Sequence, residues 1–364
     1  MSTPAIRILI VDDTALYRKV LTEAFAQIPE AVVTGAVASG PAALARLTGD
    51  PVDLVLLDVF MPEMNGPEVL ARLRRDHPRT AVVMISGATG PDAAITIDAL
   101  ANGALDFIPK PQAASFTEGM AKLRAQLQQV VRIVRIRKLA SAPAPASPVR
   151  PSPAAPASSA APKRRPSSLI RPELLLIGVS TGGPRALHDL LPRLPADFRL
   201  PVVIVQHMPP LFTRSLAEQL CKTCPLPVVE AGESEAVTPG RILLAPGGRH
   251  LELVRDPSGA LRTQLTDTPP VNSCRPAVDV LFQSASRAGL RGALSLILTG
   301  MGEDGANGVA ALKASTPTWS IVQDEATCVI YSMPQAVVRR GLEDEILPLP
   351  TIAPRLVELT RLLP

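Results

Sequence analysis

The chain has 364 residues, enough for two domains that each bury a core, and 39 of them are proline. Its net charge is +4, but residues 141–168 hold Arg150, Lys163, Arg164 and Arg165 with no acidic residue, leaving 33 basic against 33 acidic side chains elsewhere; this excludes a broad basic face for nucleic acid. Four cysteines in a long chain without a signal peptide, and no apolar run near the ~20 residues that span a bilayer, predict a cytoplasmic protein with free thiols and no membrane insertion.

From the start, Arg7-Ile-Leu-Ile-Val11 predicts a buried strand that ends in Asp12-Asp13, with Thr14 capping the next helix. A second strand leads to a helix opened by Gly40-Pro41. The third strand, Leu54 to Asp58, again ends in an aspartate and is followed by the turn Met61-Pro62-Glu63-Met64-Asn65-Gly66-Pro67. The fourth, Ala81 to Ile85, delivers Ser86, and the fifth, Asp106-Phe-Ile, delivers Lys110-Pro111. Strands alternating with helices imply a parallel sheet covered on both faces, whose carboxyl edge gathers Asp12, Asp13, Asp58, Ser86 and Lys110. Crowded carboxylates call for a hard divalent cation. Mg²⁺ suits them because it takes oxygen ligands and binds a phosphoryl group beside carboxylates.

A long helix is expected next, with Phe116, Met120, Leu123, Leu127, Val130, Val134 and Leu139 on one stripe. Residues 141–168 contain 8 Pro, 8 Ala and 7 Ser in 28 positions, the composition of a tether. The expected organisation is therefore 1–125, 126–170 as helical extension and linker, and 171–364. In the last unit, strands are predicted at 174–177, 202–206, 228–231, 242–245, 293–298 and 320–323, with a hairpin at 251–265, giving an α/β/α sandwich with a mainly parallel, Rossmann-like sheet.

Leu174-Leu-Leu-Ile-Gly178-Val-Ser180-Thr-Gly-Gly-Pro184 reads as strand, tight turn and helix, lifting the Ser180 hydroxyl to the sheet edge as a candidate nucleophile. A phosphate-cradling loop is the competing reading. The dinucleotide form, however, wants a middle glycine and an acidic residue after the next strand, where this chain has Ser180 and Gln206-His207. Of His77, His188, His207 and His250, only His207 leaves a strand end on the serine's edge, which makes it the candidate base. The glycine-rich turn after Leu296-Ile-Leu-Thr supplies Asp304 as orienting carboxylate, with Glu303 as its neighbour and competitor. Cys221-Lys-Thr-Cys224 ends a helix before Pro225 and lacks two further zinc ligands.

The first half, about residues 5 to 125, resembles the receiver domain of bacterial response regulators, a (βα)5 flavodoxin-like fold. The resemblance implies that Asp58 is the phosphoacceptor and that Asp12 and Asp13, with the Phe60 backbone carbonyl, complete the Mg²⁺ site. Ser86 would be the switch hydroxyl that meets the added phosphate oxygens, Lys110 the compensating positive charge, and Phe107 the aromatic that moves with Ser86.

The second half, about residues 172 to 350, resembles the catalytic domain of chemotaxis protein-glutamate methylesterases of the CheB type. The motifs are Gly178 to Pro184, Val205-Gln-His-Met-Pro209, Ala245-Pro-Gly-Gly248, Pro270-Val-Asn272, Arg275-Pro276 with Val278-Asp279, Leu298 to Gly302 with Asp304-Gly305, and Gln323-Asp-Glu325. That likeness implies Ser180 as nucleophile, His207 as general base, Asp304 as its partner, and the backbone N–H groups of Thr181 and Met301 as oxyanion hole. No cofactor is implied in this half. Chemoreceptor glutamate γ-methyl esters would be the substrate, with glutamine deamidated by the same chemistry, and a chemotaxis histidine kinase the phosphodonor. The chain departs from the family pattern at Cys274, where members commonly carry histidine, and at Ser86-Gly87-Ala88-Thr89, where two small hydroxyl residues often stand together. A response regulator whose Rossmann-like half binds a nucleotide or partner without hydrolysis is the alternative.

Overall fold

A computed structural model describes residues 5–87, 89–110, 116–140 and 171–361. In the first half, β1 (Ile6–Val11), β2 (Ala31–Val37), β3 (Leu54–Asp58), β4 (Ala81–Ser86) and β5 (Asp106–Pro109) alternate with α1 (Ala15–Phe25), α2 (Gly40–Gly49), α3 (Gly66–Asp76), α4 (Gly90–Ala101) and α5 (Phe116–Ala140). Every strand pair is parallel, in the order β2-β1-β3-β4-β5, as expected of continuous apolar runs joined by helical crossovers. Asn65 and Thr89 close reciprocal capping boxes with Glu68 and Asp92 at the starts of α3 and α4. At α1 the expectation is corrected. The Thr14 side chain accepts no capping bond; its hydroxyl instead donates to Asp13 at 3.2 Å while its N–H donates to Asp12 at 2.8 Å.

Along α5, Leu123, Leu127, Val130 and Val134 are buried as the stripe predicts, whereas Leu139 is 57% exposed. The helix runs unbroken through residue 125, the expected end of the first unit. The expected linker, with Lys163-Arg164-Arg165, lies outside the described residues.

The second half contains β6 (Leu175–Val179), α6 (Gly183–Leu190), β7 (Val202–Gln206), α7 (Phe212–Thr223), β8 (Val228–Glu230), β9 (Ile242–Leu244), β10 (His250–Arg255), β11 (Leu261–Thr266), α8 (Val278–Arg287) and β12 (Ala293–Ile297). It is completed by α9 (Ala306–Ser315), β13 (Thr318–Gln323), α10 (Ser332–Arg339), β14 (Glu345–Leu347) and α11 (Leu349–Arg361). Seven parallel strands stand in the order β14-β13-β12-β6-β7-β9-β8, and β10 and β11 form a separate antiparallel hairpin. The three strands that end near Ser180, His207 and Asp304 are thus contiguous as β12-β6-β7, and their turns share one edge.

The halves share apolar core. Leu73, Ile97 and Leu100 of the first half belong to one buried cluster with Leu187, Leu190, Leu216 and Leu220 of the second. Ile330 joins the receiver cluster of Ile8, Ile10 and Leu127, and Met301 and Val329 pack against it. Each such aliphatic side chain contributes on the order of 1.5–3 kcal/mol by leaving water.

Candidate active site

The serine turn is built by close backbone approach. Gly182 has φ of 81°, the left-handed region, and lets the chain reverse before α6. A Cβ on Gly300 would stand 2.8 Å from Ser180 Cβ and 2.2 Å from Met333 Sδ, so only glycine permits the 299–302 loop to run beside the serine. The Thr299 hydroxyl donates to the Thr181 carbonyl at 3.0 Å and accepts from the amides of Val329 and Ile330 at 3.1 and 3.0 Å. Gln206 braces the same turn: its Nε2 donates to the Ser180 carbonyl at 3.0 Å. Sequence reading named Thr299 and Gln206 only as motif residues without a bracing role, because polar residues at strand ends carry no signal of which loop they brace.

His207 leaves β7, and its Nε2 lies 2.7 Å from Asp304 Oδ2. Asp304 is 2% exposed, whereas Glu303 is exposed, which decides between the two acids. The amides of Val278 and Asp279, at the N-terminus of α8, donate to Asp304 at 2.6 and 3.0 Å, and Asn272 Nδ2 donates at 3.0 Å. That helix end and those donors favour a carboxylate. Burial works to raise the pKa of Asp304, yet the His207 bond and charge and the two amides hold it below the ordinary carboxylate value. Asp279, also buried, accepts from Gly308 N at 2.7 Å and Gly305 N at 2.9 Å; burial, then the charge of Asp304, pushes its carboxyl upward. Asp279 and Asn272 stood in the sequence as motif letters without roles.

The other histidines stand apart. His250 is fully buried and braces the segment before α8, accepting from Ala277 N at 3.2 Å with Nε2 3.2 Å from the Pro269 carbonyl, so it does not line the serine turn as a base. His188 points its Nε2 into the interior without a hydrogen-bond partner among the described residues. His77 sits at the end of α3 in the other half.

No hydrogen bond joins the Ser180 hydroxyl to His207; Nδ1 of the ring instead faces Cys274 Sγ at 3.5 Å. Burial favours the neutral ring, but the Asp304 bond, followed by the Cys274 contact, raises His207 to about 9. The amides of Thr181 and Met301 make no hydrogen bond among the described residues, leaving two donors beside the serine turn.

In the receiver, the carboxylates of Asp12, Asp13 and Asp58 offer oxygens within 4.8 Å of one another. Lys110 Nζ lies 2.9 Å from Asp58 Oδ2 and 3.1 Å from Asp12 Oδ2, and 5.0 Å above the Tyr17 ring. Burial raises Asp58 to about 6 against the pull of Lys110. An all-oxygen donor set on strand ends, with one face open at Asp13, fits a hard cation such as Mg²⁺. Phe60 follows β3 by two residues. Buried Ser86 donates to the Gly87 carbonyl at 3.0 Å and accepts from Thr96 at 2.7 Å, a partner sequence reading did not name.

Side-chain contacts join the halves. Phe107 stacks on Phe212 of α7, with ring centroids 4.3 Å apart and planes 29° apart. Next to it, the Asp106 carboxylate accepts from the Thr181 hydroxyl at 2.9 Å. Asp98 of α4 also bonds to Gln219 of α7. The receiver's β5 edge therefore lies directly against the serine turn.

Fold and site together define a response regulator whose output half is an α/β sandwich with a buried His–Asp pair beside a serine turn. A family model described as CheB methylesterase matches residues 175–356, and one described as response regulator receiver domain matches residues 8–121. The chain belongs to the CheB methylesterase family. It is 40% identical over 358 residues to the protein-glutamate methylesterase/protein-glutamine glutaminase of Trichodesmium erythraeum, covering 97% of this chain and 99% of that one. The protein of the same name from Desulfotalea psychrophila is 40% identical over 361 residues, covering 98% and 99%. The crystal structure of the Thermotoga maritima CheB methylesterase catalytic domain is similar with a TM-score of 0.50 and 40% identity, covering 52% of this chain and 100% of that one.

Proposed function

We propose that this protein is a phosphorylation-controlled esterase that hydrolyses glutamate γ-methyl esters on the cytoplasmic helices of chemoreceptors and deamidates glutamines there. The carrying observation is the buried His207–Asp304 pair, 2.7 Å apart, on the strand-end edge that also holds Ser180. Ser180 Oγ attacks the γ-carbonyl while His207 takes its proton, and Asp304 holds and stabilises the imidazolium. The free amides of Thr181 and Met301 receive the developing oxyanion. Methanol, or ammonia from glutamine, leaves with the proton from His207, and water then hydrolyses the acyl-enzyme.

Control belongs to residues 1–125, joined through 126–170 to the catalytic unit 171–364. Asp58 accepts a phosphoryl group from a chemotaxis histidine kinase. Mg²⁺ held by Asp12, Asp13, Asp58 and the Phe60 carbonyl would neutralise phosphoryl charge. Lys110 and a turned Ser86 hydroxyl hold the added oxygens, and Phe107 follows Ser86, withdrawing from Phe212. Among the described residues no helix is long and apolar enough to cross a membrane, which fits a cytoplasmic enzyme reaching the receptor from its inner side.

The test is methanol release from a methylated receptor fragment, with and without a small-molecule phosphodonor. Wild type should be stimulated, Ser180→Ala should release none, and Asp58→Asn should keep a basal rate that the phosphodonor leaves unchanged. Methanol released by folded Ser180→Ala would overturn the nucleophile, and a stimulated Asp58→Asn the control.

A further inference from the structure

The ring of His207 has two nitrogens, and both are taken. Asp304 stands 2.7 Å from Nε2, while Nδ1, the nitrogen left for a nucleophile, faces the sulfur of Cys274 at 3.5 Å. The sulfur is placed there by a built turn. The backbones of Val271 and Cys274 bond to each other in both directions at 3.1 and 2.9 Å, and Asn272 and Ser273 between them adopt left-handed φ of 51° and 63°. Asn272 anchors this turn by donating to Asp304 and Asp279, each at 3.0 Å. Nucleophilic atom, base and orienting carboxylate are therefore aligned as Cys274–His207–Asp304, and the half-buried cysteine is within reach of small solutes.

We propose that Cys274 is a redox modification site whose oxidation by a peroxide removes His207 from service as the base. His207 Nδ1 accepts the thiol proton as the sulfur attacks one peroxide oxygen. The S–O bond forms, the O–O bond breaks, and the departing hydroxide takes the proton back from the ring as water. The sulfur is oxidised by two electrons to a sulfenic acid and the peroxide reduced by two. The new S–O–H group turns beside the 3.5 Å sulfur–ring contact and donates its proton to Nδ1, so the ring lone pair is held by the sulfenic acid and not offered to Ser180. A dithiol reverses the change: one thiol displaces water to give a mixed disulfide, and its second thiol releases Cys274 reduced. The other cysteines lack this arrangement. Burial pushes Cys224 up to about 11 and Cys328 up to about 12, and Cys221 is exposed but has no imidazole contact.

This inference rests on the proposed pairing of Ser180 with His207, and the experiment separates the two. Full-length protein is treated with limiting hydrogen peroxide; sulfenic acid is trapped with dimedone and mapped by mass spectrometry. Methanol release is followed before oxidation, after it, and after dithiothreitol. Cys274 should be trapped about tenfold faster than exposed Cys221, an order that exposure alone would reverse. The same rate is expected in Ser180→Ala, and a slower one in His207→Gln. Methanol release should fall in step with trapping and return with dithiothreitol, while Cys274→Ser should keep its own starting rate through the peroxide step. Faster trapping at Cys221, full activity with Cys274 oxidised, or equal inactivation of Cys274→Ser would each overturn the proposal. Absence of methanol from untreated wild type would defeat the esterase reading and the control claim with it, and the trapping rates would still decide whether the thiol is activated.

Discussion

At His207, burial and bonding pull in opposite directions, and bonding wins: the ring is raised to about 9 from an ordinary 6.5. A folded value above the unfolded one means that charged His207 stabilises the fold fully below about 6.5, and that this stabilisation is lost as pH rises through about 9. In the proposed mechanism catalysis runs the other way, because His207 must be neutral to take a proton from Ser180. The expected kcat/KM therefore climbs with pH, with its acid limb near about 9. In Asp304→Asn the limb should move down and kcat should drop by on the order of 10³ to 10⁴. A pH–rate profile of the variant whose limb stays in place would refute the coupling. That Ser180, His207 and Asp304 would meet at one edge was legible because each follows an apolar strand, β6, β7 or β12, and these strands are neighbours. Cys274 was visible only as a departure from a pattern: its contact with His207 depends on the fold of the 271–274 turn, which no local run of residues encodes.

The last elements, β14 and α11, are tied on by a buried polar network. Arg355 donates to both oxygens of Glu345 at 2.8 to 2.9 Å, and Trp319 Nε1 on β13 donates to the same carboxylate at 2.7 Å. With side chains only 10% and 7% exposed, the ions depend on each other. Arg355→Ala should cost about 3–5 kcal/mol by leaving Glu345 charged and unpaired. Trp319→Phe keeps the ion pair and loses one hydrogen bond together with part of the indole's packing, so its cost should be smaller. Urea midpoints would check the order, and an Arg355→Ala midpoint at or above that of Trp319→Phe would contradict it. The long strands were read correctly from continuous apolar runs. Glu345-Ile-Leu escaped because three residues headed by a charge give no period, and the strand it pairs with, β13, and the Arg355 that balances its charge both lie outside the run.

At the scale of the whole molecule, the Asp106–Thr181 bond is the polar contact on which closure is most exposed to test. Asp106 is half-buried at the junction, desolvation there raises its carboxyl, and the bonds from Phe107 N and the Thr181 hydroxyl oppose that shift. Thr181→Val keeps the shape and the backbone amide but withdraws the hydroxyl, leaving a carboxylate oxygen unpaired only while the domains are docked. The docked state should lose about 1–3 kcal/mol, and the unphosphorylated methanol-release rate should rise between a few-fold and about a hundredfold. An unchanged basal rate would show that this contact does not hold the site closed. The two halves were legible separately, since each carries its own run of strands. Their contact was not, because Asp106 and Thr181 stand 75 positions apart in the chain.

The same threonine serves both sides: its hydroxyl is held by the receiver, and its amide belongs to the serine turn. Restraint of this kind has to be actively maintained, so the arrangement has a direction in which it fails. Cleavage of the chain between the two halves, heat damage confined to the receiver, or a poorly packed β5 would leave the enzyme running rather than silent. A cell carrying such a damaged copy would lose receptor methylation continuously, and the defect would behave as dominant over an intact second copy.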